Sequence, residues 1–123
     1  MGAVGGSDAE LVRRAYDAWN WYGLDHLEPY LAEEVQLEDA PELPDARTWS
    51  GSAAVLRRIE EVADATGGGW VELHGVEERP DGVLVTMTWK LDSPEGGAPL
   101  GEVSHLVEVA DERIARIRVF VGG

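Results

Sequence analysis

The two-residue periodicity of its second half constrains this chain most. From Val83 to Leu91, apolar residues alternate with Thr86, Thr88 and Lys90. Just ahead of them stands Pro80-Asp81-Gly82, a turn in which Asp-Gly tolerates positive φ. Trp70 to Arg79 and Val83 to Leu91 therefore read as a hairpin. Gly101 to Val109 and Ile114 to Val121 make a second one around Ala110-Asp111-Glu112-Arg113, after a Pro/Gly-rich loop from Leu91 to Leu100. One face of each strand is nearly all apolar: Val83, Val85, Met87, Trp89 and Leu91, then Val103, His105, Val107 and Val109, then Ile117, Val119 and Val121. Such a face has to be covered by other elements.

The first half supplies the cover. Leu11, Val12, Ala15, Tyr16, Ala18, Trp19 and Tyr22 recur at helical spacing and predict a helix over 8–22, capped by Ser7 or Asp8 and ended by Gly23. Residues 1–6 read as a flexible leader. Asp25 is expected to cap a second, short helix, with Leu27, Tyr30 and Leu31 buried and Pro29 in the first turn. Val35 to Asp39 alternates like a strand, 41–46 reads as a loop, and Arg47-Thr48-Trp49 as a short strand. Gly51 and Ser52 start a third helix. Its apolar face is Ala54, Val55, Leu56, Ile59, Val62 and Ala63, and Gly67-Gly68-Gly69 ends it. Helices followed by a mostly antiparallel sheet make an α+β pattern, and residues 1–123 have the length of one domain.

Charge and composition narrow the function classes. Ten basic residues against 24 acidic ones leave a net charge of −14, which repels nucleic acid and anionic membrane surfaces. Without cysteine there is no thiol catalysis and no disulfide. No stretch approaches the roughly 18 apolar residues of a membrane span. Met1 to Gly6 has neither a basic region nor an apolar run, so a cytoplasmic chain is expected. Its Arg, Ala, Gly and Val usage suits a GC-rich bacterial genome. The three histidines lack ligand spacing, and no Gly-rich loop follows a strand, so neither a metal nor a cofactor is expected.

Two residues stand out as working groups. His105 is the one ionisable residue on its apolar face between Val103 and Val109, and a buried imidazole needs a hydrogen bond or a wet cavity. Asp39 ends a strand before Ala40-Pro41, a position that equally suits a turn cap. Glu38 points to the other, solvated face. Glu72 and His74 share a side with Trp70 and Val76, and if that side faces inward Glu72 is a second acid. Five Trp and three Tyr against one Phe suit a partly wet pocket.

Three helices, a strand ending in an acid before Pro, a helix announced by Trp49-Ser50-Gly51-Ser52-Ala53-Ala54-Val55, and long hairpins together resemble the nuclear transport factor two-like cone. Within it the chain is most similar to the SnoaL-like polyketide cyclases and ketosteroid isomerases, through Leu31 to Ile59 and the closing strand ARIRVFV. The resemblance implies a cone-shaped barrel, with three N-terminal helices packed on a strongly curved, mostly antiparallel sheet around an apolar pocket. It also implies a homodimer through the outer sheet face, near Arg116, Arg118 and Phe120. Asp39 of LEDAP matches the isomerase's general base. His105 matches the protonated acid of its oxyanion hole within one residue of gap placement, with Ser104 in its place after a shift.

The implied wall takes Tyr16, Trp19, Trp49, Leu56 and Ile59 from the first half. Met87, Trp89, Val107, Ile117 and Val119 come from the sheet. There are departures from the pattern. The isomerase's helix-one tyrosine aligns with Ala15, and Tyr16 lies one position along, on a different side. The cyclases' late-strand acid and the arginine–aspartate motif of limonene-type epoxide hydrolases have no counterpart. The implied activity is cofactor-independent acid–base catalysis on a small hydrophobic polyketide- or steroid-like molecule, by cyclisation, isomerisation or epoxide opening. A binding or accessory protein with the same pocket is the alternative.

Overall fold

The computed structural model describes residues 3–41, 46–65, 70–90 and 99–121. Helix α1 (Ala3–Tyr22) starts ahead of the expected cap, so residues 3–6 of the expected leader are helical. Once nucleated, a helix extends through glycine at a cost of about 1 kcal/mol per residue relative to alanine. Gly23 ends α1: its amide donates to the Trp19 carbonyl at 2.9 Å, and its φ of 114° is one a side chain resists. The second helix, η1 (Leu24–Tyr30), is a 3-10 helix. Gly23 occupies its N-cap and Asp25 lies inside its first turn, so Asp25 is not the cap.

Leu31 leaves the helix and opens strand β1 (Leu31–Glu38), which begins four residues before the alternation that betrays it. Leu31, Val35 and Leu37 are buried, and the pairing with the last strand shifts between Leu31 and Gln36. That irregularity breaks the period of two and hides the start of the strand. Strand β2 (Thr48–Ser50) follows, then helix α2 (Ser52–Ala65), where expected. The Gly67–Gly69 stop lies outside the described residues, as does most of the Leu91–Leu100 loop. Four long strands complete the chain: β3 (Trp70–Arg79), β4 (Gly82–Lys90), β5 (Pro99–Ala110) and β6 (Arg113–Val121). At the β3–β4 turn Gly82 is required. Its φ is 148°, and a Cβ there would lie 2.7 Å from the Val107 carbonyl oxygen.

The six strands form one curled, unclosed sheet in the order β2-β1-β6-β5-β4-β3. All neighbours are antiparallel except β1 and β6. Helix α1 packs on β3 and β4, and α2 on β1 and β2. The face beneath them is the expected one: Val83, Val85, Met87, Trp89 and Val107 are buried with Val12, Tyr16, Val55 and Ile59 from the helices. Each such side chain contributes roughly 1.5–3 kcal/mol through its removal from water. On β6, a register shift between Glu108 and Val109 adds Ile114 to the core beside Ile117, while Val121 reaches the exposed rim. The opposite face carries the charges, with Arg116 held between Glu38 and Glu108, Arg118 on Glu108, and Phe120 46% exposed. Among the described residues, no helix is long and apolar enough to cross a membrane.

Candidate functional site

Asp39 sits just past the end of β1, and its backbone and carboxylate are tied to the segments that follow. Its amide donates to the Arg47 carbonyl at 3.0 Å, and the Arg47 amide returns a 3.3 Å bond to Oδ2. The Trp49 indole N–H, carried by β2, donates to Oδ2 at 2.9 Å. Arg58, from the middle of α2, reaches Oδ1 through Nε at 3.2 Å and Oδ2 through Nη2 at 3.1 Å. This is a two-pronged ion pair between side chains only 4% and 9% exposed. Both the Arg47 and Arg58 guanidinium groups lie over the Trp49 ring, 4.5 and 5.2 Å from its centre.

His105 is the second station. It is buried on β5, and its Nδ1 lies 2.7 Å from the Tyr16 hydroxyl of α1. The two rings meet edge to face with centres 5.8 Å apart. Burial pulls the imidazole down to about pH 4 and raises the tyrosine above its ordinary value, so both groups are uncharged near neutrality.

The two stations share one cavity of about 400 Å3 with largely apolar walls, a size suited to a small molecule. Asp39, Arg58 and His105 line it together with Trp19, Leu37, Ile59, Val62, Trp89, Val103 and Val119. Gly101, Glu102 and Val121, all exposed, also contribute. Trp19 and Trp89 meet edge to face, 6.0 Å between centres.

Of the expected wall, Trp19, Ile59, Trp89 and Val119 line the cavity. Tyr16, Met87, Val107 and Ile117 lie behind it in the closed core, each no more than 1% exposed. Trp49 and Leu56 pack against that core without lining the cavity. His105, rather than Ser104, faces inward. Glu72 does not: it pairs with Thr88 on the outer face, because a bulge between Leu73 and Gly75 breaks the side it was expected to share with Val76. His74, at the bulge, bonds the Thr88 hydroxyl. Among the described residues, no group of three or more His, Asp or Glu is arranged to hold a metal.

One participant and one contact escaped the sequence reading. Arg58 stands three residues after Val55 and four before Val62, on the same helical face, so a lone cation on an apolar stripe was the available signal. Tyr16 was expected on the pocket wall, one position off the isomerase's tyrosine, and its bond to His105 was not foreseen. Its spacing from Val12 and Trp19 sets it on the buried face of α1, and its hydroxyl reaches His105 from there.

Known proteins supply a context for this geometry. A family model described as the SnoaL-like domain matches residues 12–117. Among solved structures, an NTF2-like protein of unknown function from Mesorhizobium loti superposes with a TM-score of 0.73 at 22% identity, covering 95% of this chain and 92% of that one. A candidate ketosteroid isomerase from Kribbella flavida gives 0.76 at 20% identity, over 95% and 78%. A candidate polyketide cyclase from Sinorhizobium meliloti gives 0.70 at 23% identity, over 89% and 93%. At these identities the likeness is one of fold. Comparison of the sequence with curated proteins returned no match.

Proposed function

The chain belongs to the SnoaL-like domain family, and from that premise we propose that it is a cofactor-independent enzyme acting by acid–base catalysis on a small hydrophobic polyketide- or steroid-like ketone. The observation that carries this reading is that a carboxylate, Asp39, and a neutral imidazole, His105, line one largely apolar cavity. Asp39 accepts a proton from the carbon next to the ligand's carbonyl. His105 holds the oxygen on which charge develops, where low polarity strengthens the hydrogen bond. Returning the proton to a different carbon isomerises a double bond; attack of the same enolate on a second carbonyl closes a ring.

The test is exchange of the protons beside the carbonyl of a β,γ-unsaturated ketosteroid in heavy water, followed by NMR. Wild type is expected to exchange and isomerise it, and Asp39→Asn to bind it without exchange. An Asp39→Asn variant that exchanges at the wild-type rate removes Asp39 as the base.

One observation favours a second reading, a binding protein of the same family without turnover. Both Asp39 oxygens already accept bonds from Arg58, Trp49 and the Arg47 amide, leaving little lone-pair capacity for a carbon-bound proton. Ligand binding by wild type with no exchange selects this alternative.

A further inference from the structure

The bonds on Asp39 are of two kinds. Oδ2 accepts from the Trp49 indole, which packs against the core, and from the Arg47 amide, which is backbone. Neither can leave without a shift of β2, which is paired to β1 through Leu37 opposite Trp49 and Glu38 opposite Thr48. Oδ1 has one partner among the described residues, Arg58 Nε at 3.2 Å, while Nη2 of the same guanidinium touches Oδ2 at 3.1 Å. Arg58 reaches across from α2 on a long side chain with several rotatable bonds. It is the one partner that can move while the backbone stays in place.

A second seat stands beside it. Glu61 follows Arg58 by one helical turn, is half-exposed, and brings Oε1 to 3.8 Å from Nη1. That gap is too long for a hydrogen bond, yet residues three apart on a helix are within reach of each other. With the cavity empty the buried carboxylate keeps the guanidinium, because a buried charge needs its counterion and an exposed pair is worth little. Asp39 and Arg58 both line the cavity and Glu61 does not. A turn toward Glu61 therefore takes the guanidinium off the wall and uncovers Oδ1.

We propose that Arg58 is a positioning residue that gates Asp39: it occupies Oδ1 in the empty protein, and a ligand filling the cavity turns it toward Glu61, leaving Oδ2 anchored and Oδ1 open. The gate rests on the enzymatic reading for its purpose, since it clears the occupied oxygen that stands against Asp39 as a base; the motion itself does not depend on that reading.

NMR of the empty protein reads how fast the Arg58 Nε–H exchanges with water, which requires its bond to Oδ1 to open. Glu61→Gln changes a half-exposed position and spares the core. It withdraws the second seat and is expected to slow this exchange about 2- to 5-fold, the worth of an exposed ion pair. An unchanged or faster rate overturns the gate. In crystals of wild type soaked with a ketosteroid, the guanidinium is expected at Glu61, out of hydrogen-bond reach of Oδ1. Steroid in the cavity with Arg58 still on Oδ1 also overturns the gate; if the crystals take up no steroid, the exchange rates alone decide. In the heavy-water assay Glu61→Gln should raise KM by the same factor and keep kcat, because binding then draws on a smaller open fraction. An Arg58 that opens in a protein exchanging no steroid protons upholds the gate and removes the catalytic reading. Steroid exchange with Arg58 fixed on Oδ1 does the reverse.

Discussion

At one side of the cavity the Asp39 carboxylate receives bonds from Arg47, Trp49 and Arg58, none more than 19 positions away in the chain. At the other, His105 meets a hydroxyl 89 positions away. The two sides solve one problem, burial of an ionisable group, in opposite ways. Asp39 is buried with its countercharge, so the pair stands or falls together. His105 is buried by giving up its charge, so its stability is a matter of pH. The cavity they share is thus lined by a compensated ion pair and an uncharged ring.

The contrast breaks most visibly at Arg58. Arg58→Met leaves the Asp39 charge buried without its guanidinium, and denaturation should show a loss of about 3–5 kcal/mol. Adding Asp39→Leu to that variant should restore most of it, because no lone charge remains. A single variant within about 0.5 kcal/mol of wild type would mean that the pair does not hold the site.

The His105 side should answer to acid instead. Its folded value of about 4 lies below the ordinary 6.5, so between these values the unfolded chain binds the extra proton. Its contribution is thus fully present above pH 6.5 and is lost as pH falls toward 4. The loss is roughly 3 kcal/mol at about 1.4 kcal/mol per unit. Thermal melts across this range should show it, and His105→Gln should flatten that part of the profile.

Tyr16→Phe should cost less, about 1–3 kcal/mol, for leaving His105 Nδ1 without its hydrogen-bond partner in the core. Smallest of all should be Arg118→Ala. Its bond to Glu108 is on the partly exposed outer face, and the change should stay within about 1 kcal/mol and shrink with added salt. A larger, salt-insensitive loss there would show that the outer face is closed off from water, as a homodimer contact would make it.

Legibility followed the distance over which each feature is decided. The β3–β4 hairpin and the buried side of β4 could be read because alternation and an Asp-Gly turn are local. Asp39 could be placed at a strand end for the same reason. Glu72 could not, since one bulge at Leu73–Gly75 reverses which residues share a side. Arg58 was passed over because helical spacing shows that a cation shares an apolar stripe, but not that a carboxylate waits opposite it.

By itself, then, the sequence determined the order of helices and strands, the apolar face of the sheet and His105 upon it, since each follows from spacing along a short stretch of chain, while Asp39 became a candidate through its strand-end position together with the family resemblance. Tertiary structure alone decided that Arg58 pairs with Asp39, that Tyr16 reaches His105, and that the cavity falls to Leu37, Arg58 and Val62 rather than to Tyr16 and Val107. Those outcomes depend on how α1 and α2 are rotated over the sheet and on where its register slips. Long-range packing sets both, and no local pattern encodes them.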